Sequence, residues 1–210
     1  MDSSNNLISY KEINKIEKYK IDSYYSSFIN NSLYDLYSIL GLTTLDYISA
    51  EGCYIELKNK KKILDLTAGL GVLNLGHNHP EIKKVEKYFN ENNEVDIIKL
   101  GVNKHQAVLA HNLIQLLPNN LSKCFFSTSG AEAVEAAIKL AIKYHAKNKK
   151  NKIISVKNSY HGKTHGALSV TNSENYQDNF LIGIPSDYIL IAEFGDIDSI
   201  SKLISQNTLK

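Results

Sequence analysis

The chain has 210 residues, 43% of them hydrophobic and 22% charged. That is apolar material for one substantial core or two small ones, and it excludes collagen-like, fibrous and disordered readings. The 24 basic and 22 acidic residues leave a net charge of +2, so no overall field draws the molecule to nucleic acid or anionic lipid, and neither is expected as a partner. All 24 basic residues are lysine, which removes forked, bidentate recognition of carboxylate or phosphate. No run approaches the roughly 18 consecutive apolar residues of a spanning helix. The N-terminus MDSSNNLISY has neither a cationic start nor an apolar signal core, and the only cysteines are Cys53 and Cys124; a soluble protein of a reducing, cytoplasmic compartment is expected.

In chain order, residues 1–45 place Ile13, Ile16, Tyr19 and Tyr24 at loosely helical spacing. Between Gly52 and Asp65, the runs Cys53 to Leu57 and Lys62 to Leu66 flank a polar KNKKK stretch and predict a hairpin. That lysine tract, and the one from Lys147 to Lys152, read as solvated turns. A glycine-studded loop from Thr67 to His79 follows, and Pro80 opens a helix over Glu81 to Asn90. An amphipathic helix over His105 to Leu117 places Leu109, Leu113 and Leu116 on one stripe before Pro118. Cys124-Phe125-Phe126 reads as a short buried strand, Ser127 to Gly130 as a tight turn, and the next stretch as a long helix burying Val134, Ala137, Ile138 and Ala141. Three strands are expected at Lys152 to Val156, Ala167 to Thr171 and Tyr188 to Phe194, then a helix over Asp196 to Ile204. Such alternation predicts an α/β fold with a mostly parallel sheet. A doubly wound sheet would need further strands beyond Lys210, so the domain is expected to be incomplete.

The turn before the long helix bears the chemistry. Ser129 and Glu132 form an S-x-x-E capping box, while the same helix start offers free amides, partial positive charge and, at Gly130, room for a phosphate. The residues alone leave both readings open. Walker and dinucleotide glycine spacings are absent. The polar loop Asn158 to Thr164 would emerge beside this turn at the carboxyl ends of parallel strands, and Tyr160 there could stack on a planar cofactor, adding roughly 0.5–1.5 kcal/mol beyond burial. Alternatively, Tyr160 merely covers core.

Four segments carry a family resemblance. Ile63 to Pro80 resembles Y-L-D-x-x-x-G-x-G-V-x-N-x-G-H-x-H-P. Leu109 to Pro118 resembles L-A-x-x-L-x-x-x-x-P, Phe125 to Leu140 resembles F-x-x-S-G-T-E-A-x-E-A-A-x-K-L, and Ser159 to Thr171 resembles x-[FY]-H-G-[RK]-T-x-G-A-L-S-x-T. These are the motifs of the class III, or ornithine-type, aminotransferases, which are fold-type I pyridoxal-phosphate enzymes. Phe28 onward, with Phe126, Val134 and Tyr160-His161-Gly162-Lys163, is most similar to the putrescine-type branch. The resemblance implies an N-terminal helical segment and hairpin over 1–60, part of a small domain, and over 61–210 the first part of the large cofactor-binding α/β domain. It implies pyridoxal 5′-phosphate as cofactor, its phosphate on Ser129, Gly130 and Ala131, its ring against Tyr160, and His161 helping to position the site. Ala131 replaces the family's usual threonine, so a hydroxyl is lost while the amide stays. The Thr67 to Asn74 loop would line the entrance near a dimer partner. The family's aldimine-forming lysine and ring-nitrogen acid lie later in its chain, so neither is expected within residues 1–210.

Three readings follow. The first is a transaminase chain moving an amino group from an amine or amino acid, a diamine such as putrescine included, to a 2-oxo acid, a homodimer when complete and inactive as residues 1–210 alone. In the second, the chain is a non-catalytic remnant or half-subunit that needs a second chain to complete the site. The third, a metal hydrolase built on His77, His79, His161 and His165, lacks a clear third ligand, so no metal is expected.

Overall fold

The computed structural model describes residues 7–118, 120–148, 152–177, 180 and 183–207. The chain divides into two compact units, Met1–Ile98 and Lys99–Lys210.

In the first unit, the helical expectation for residues 7–45 is met by α1 (Tyr10–Ile13), α2 (Lys18–Phe28) and α3 (Asn31–Ile39); residues 1–6 lie outside the described part. Asn30 separates α2 from α3 because its side chain accepts from the Leu33 amide at 2.9 Å and starts a new helix. Tyr25 and Tyr37 pack tilted rings 6.2 Å apart. The predicted hairpin is β2 (Tyr54–Leu57) with β3 (Lys62–Leu64), and it gains a third antiparallel strand, β1 (Tyr47–Glu51), that alternation had not marked.

The glycine-rich stretch that follows is a left-handed turn, α4 (Ala68–Gly71), with positive φ at Ala68, Gly69, Leu70 and Gly71. Two of these four are not glycine, so the turn stores strain that something must hold. Asp65 supplies part of that hold, accepting from the Thr67 amide at 2.9 Å, its hydroxyl at 2.7 Å and the Ala68 amide at 3.0 Å. Gly76 packs on the β1–β2 turn so closely that a Cβ there would lie 2.8 Å from the Gly52 carbonyl oxygen. α5 (Pro80–Glu91) then starts at the expected proline.

The second unit holds α6 (Lys104–Gln115), α7 (Gly130–His145), β4 (Ile153–Val156), α8 (His165–Val170), α9 (Glu174–Gln177), β5 (Ile189–Ala192) and α10 (Ile197–Asn207). β4 and β5 pair in parallel from Ile153↔Ile189 to Val156↔Ala192. Three expectations are corrected. α7 buries none of its four expected inward residues: Val134 and Ile138 are half-buried, and Ala137 and Ala141 are exposed. Cys124-Phe125-Phe126 enters no ladder among the described residues. The segment Ala167 to Thr171 is not a strand but α8, and its four core residues Ala167 to Val170 are buried as one helical piece. Its apolar run is too short for periodicity to separate strand from helix, and the deciding interaction comes from Glu135, far away in sequence. α8 packs over β4, where the Ser155 hydroxyl donates to the Val170 carbonyl at 2.5 Å. Among the described residues no helix is long and apolar enough to cross a membrane.

Candidate functional site

α7 begins where the backbone leaves the extended conformation at Ser129, φ −144° and ψ 162°. The Ser129 hydroxyl accepts from the Glu132 amide at 3.2 Å and donates to Glu132 Oε2 at 3.2 Å. The glutamate therefore closes on the serine hydroxyl, whereas a capping box closes on the N-cap amide. Ser127 donates to the Ser129 carbonyl at 3.0 Å. The hydroxyls of Ser127 and Ser129 are thus engaged within the turn. The amides of Gly130 and Ala131 have no intrahelical acceptor by helix geometry, and beyond its chain neighbours and its own helix backbone nothing lies within 4 Å of the place a Gly130 side chain would occupy. The anion-binding capacity of this turn resides in backbone and dipole.

The second wall comes from the loop after β4. Ser129, Gly130, Ala131 and Val134 line one cleft of about 710 Å³ together with Tyr160, His161, Gly162, Lys163 and Thr164. All five residues expected from sequence are brought together there. Val134, Gly162, Lys163 and Thr164 join them, and Lys163 remains exposed. Tyr160 is 57% exposed and its ring meets Tyr176 edge-on at 5.3 Å, while Lys163 Nζ sits 5.1 Å above the Tyr176 ring. This rim offers an aromatic face and a cation side by side.

Two anchors fix the loop, one of them fully buried and one half-buried. Thr171, fully buried, accepts from the His161 amide at 3.0 Å and shares its hydroxyl proton between the carbonyls of Ala167, 2.9 Å, and Gly162, 3.1 Å. Glu135 Oε1 accepts from the Thr164 hydroxyl at 2.6 Å and the amides of Gly166 and Ala167 at 2.8 and 3.1 Å. The Thr164 hydroxyl holds the Glu135 carboxyl below its ordinary pKa, helped by the two amides and by nearby His165, against an opposing contribution from burial. Both anchors fall inside the motifs over Phe125 to Leu140 and Ser159 to Thr171, but their partners Thr164 and His161 lie 29 and 10 residues away.

In the first unit, His77 Nε2 lies 2.8 Å from Asp65 Oδ2, and His79 Nδ1 accepts from the Glu81 amide at 3.3 Å to cap α5. Hydrogen bonds from Thr67 and His77 hold Asp65 well below the usual carboxylate range. Among the described residues no three His, Cys, Asp or Glu side chains group as a metal site.

Residues 41–203 match the family profile described as Aminotransferase class-III. The chain is 37% identical to the acetylornithine aminotransferase of Aquifex aeolicus over 169 residues, 77% of this chain and 43% of that protein. It is 34% identical to the aminotransferase PigE of a Serratia species over 88% of this chain and 21% of that one. Among solved structures, the adenosylmethionine-8-amino-7-oxononanoate aminotransferase of Methanocaldococcus jannaschii superposes with a TM-score of 0.76 at 27% identity, covering 90% of this chain and 44% of that one. An omega transaminase from Pseudomonas jessenii in complex with PMP gives 0.63 at 26% identity, over 83% and 41%. The chain spans less than half the length of these relatives.

Proposed function

We propose the function of this chain from its family: it belongs to the class III aminotransferases, a pyridoxal-phosphate-dependent group, and its cleft is the phosphate- and ring-facing part of a transaminase site. One observation carries this reading: a solvent-open helix start and an exposed phenol ring, about thirty residues apart in sequence, line the same cleft. The residues fit the cofactor, since Gly130 leaves open space over two free amides and the Tyr160 face is accessible.

When bound, pyridoxal 5′-phosphate supplies the electron sink through which an amino group passes from an amine or amino acid to a 2-oxo acid. The protein groups bind and orient. The amides of Gly130 and Ala131 hold the phosphate, Tyr160 covers one face of the ring, and His161 fixes the loop edge through its Thr171-bound amide. With all 24 basic residues lysine, a substrate carboxylate is met within residues 1–210 by ammonium or amide groups, not by a guanidinium fork. The sequence Tyr160-His161-Gly162-Lys163 supports a donor of the diamine type, putrescine among them. The free thiols of Cys53 and Cys124 support a reducing, cytoplasmic setting, and a homodimer is the assembly the family implies.

The lysine that bonds the cofactor and the acid that faces its ring nitrogen are not assigned to any residue of this chain, so residues 1–210 alone are expected to turn over no amine. A second reading, a half-subunit completed by another chain, is favoured by one observation. At the carboxyl ends of β4 and β5 a cleft of about 700 Å³ stands open, with Val156, Phe194, Ile197 and Ile200 as its apolar lining and Lys157, Glu193 and Asp196 among its polar lining.

The test uses pyridoxamine 5′-phosphate, because an aldehyde probe would react with many of the 24 lysines. Fluorescence titration is expected to show saturable binding that Tyr160→Ala weakens about tenfold and Tyr160→Phe leaves within about twofold. Equal binding by all three chains, or none by the unsubstituted one, overturns the reading.

A further inference from the structure

The walls of the cleft come from two stretches, residues 129–134 and 160–164, that the chain joins only through the rest of α7 and β4. Their spacing therefore depends on direct ties between α7 and the loop. One tie is a close approach: a Cβ at Gly162 would lie 2.6 Å from the Ala131 Cβ, so the loop rests on the helix start with nothing between them. The other is Glu135, which stands just over one helical turn past Ala131 and does not line the cleft itself.

Its carboxylate reaches the first turn of α8, where amides have no intrahelical acceptor, and takes three donors on one oxygen: Thr164 Oγ1, Gly166 N and Ala167 N. Thr164 is the last residue of the cleft wall, so one end of the wall is bonded straight to α7. Gly166 is what admits the carboxylate, since a Cβ there would lie 2.3 Å from Glu135 Oε2. A negative group at the positive end of α8 is also the favourable pairing of charge and helix dipole.

We propose that Glu135 is a positioning residue of the cofactor cleft: by capping α8 from α7 it sets the separation between the Gly130 helix start and the Tyr160–Thr164 loop, and with it the affinity for a phosphorylated pyridine. This rests on the reading of the cleft given above. Glu135 touches neither phosphate nor ring, so its removal acts through geometry alone.

Pyridoxamine 5′-phosphate binding is measured on the 210-residue chain and on Glu135→Ala, Glu135→Gln and Thr164→Val, together with the circular dichroism induced in the bound pyridine and hydrogen exchange at Gly166 and Ala167. Loss of all three bonds in Glu135→Ala is expected to weaken binding by at least about tenfold, to reduce the induced signal and to speed exchange at both amides. Glu135→Gln, which keeps the shape and an acceptor oxygen without the charge, recovers part of each, and Thr164→Val, which deletes one donor, costs about threefold. If Glu135→Ala does not fold, the other two variants carry the test. Affinity and induced signal unchanged in the variants that fold, while the amides exchange faster, overturn the inference and leave the cofactor reading standing. An unsubstituted chain that binds nothing overturns both.

Discussion

Ala131 is the residue at which this cleft departs from the family resemblance, and the departure is chemical and not steric. The helix start keeps its amide but loses a hydroxyl, while Ser127 and Ser129 spend theirs within the turn. Ala131→Thr adds one donor worth about 1 kcal/mol and is expected to tighten pyridoxamine 5′-phosphate binding roughly fivefold, read by titration; unchanged affinity would show that the phosphate does not sit there. Gly162 is the opposite case. Its φ of +130° and the 2.6 Å approach to the Ala131 Cβ leave no place for a side chain. Gly162→Ala is expected to cost about 1–3 kcal/mol in denaturant unfolding and to open the cleft. The sequence marked Ser129, Gly130, Ala131, Tyr160 and His161 because their types and motif spacing are local properties. Glu135 and Thr171 escaped notice because their partners, Thr164 and His161, lie 29 and 10 residues away.

The same difference between local and distant causes explains which elements were foreseen. α5, α6 and α7 begin at His79, Asn103 and Ser129, whose side chains cap them within their own segments. α8 reads as a strand from its own residues because its cap is supplied by Glu135 from α7, and β1 carries no local mark because it exists by pairing with β2. The α4 turn depends on Asp65, whose ionised carboxyl gathers Thr67, Ala68 and His77. Its pKa is lower folded than unfolded, so the stabilisation is complete above the ordinary carboxylate range and is lost as pH falls through the depressed value. Proteolytic cleavage within residues 66–74 is expected to rise on acidification, and Asp65→Asn is expected to show that higher cleavage already at neutral pH, with little further pH dependence. A variant as resistant as the parent at neutral pH would show that the turn holds itself.

At the scale of the molecule, the α/β class was legible from the alternation of runs, whereas the amount of apolar surface was not. Val102, Leu116, Phe194 and Ile197 are each more than three-quarters exposed, at 87, 83, 84 and 77%. Such surface marks interaction faces, and the chain is expected to self-associate as concentration rises in sedimentation velocity; a monomer at every concentration would show that these residues do not pair two copies of it. The central claim concerns the helix start, and amide resonances report on it directly. On adding pyridoxamine 5′-phosphate to the ¹⁵N-labelled chain, the Gly130 and Ala131 signals should move and saturate, while pyridoxamine without its phosphate should leave them in place. Equal movement with both compounds, or stationary signals with both, would contradict the account.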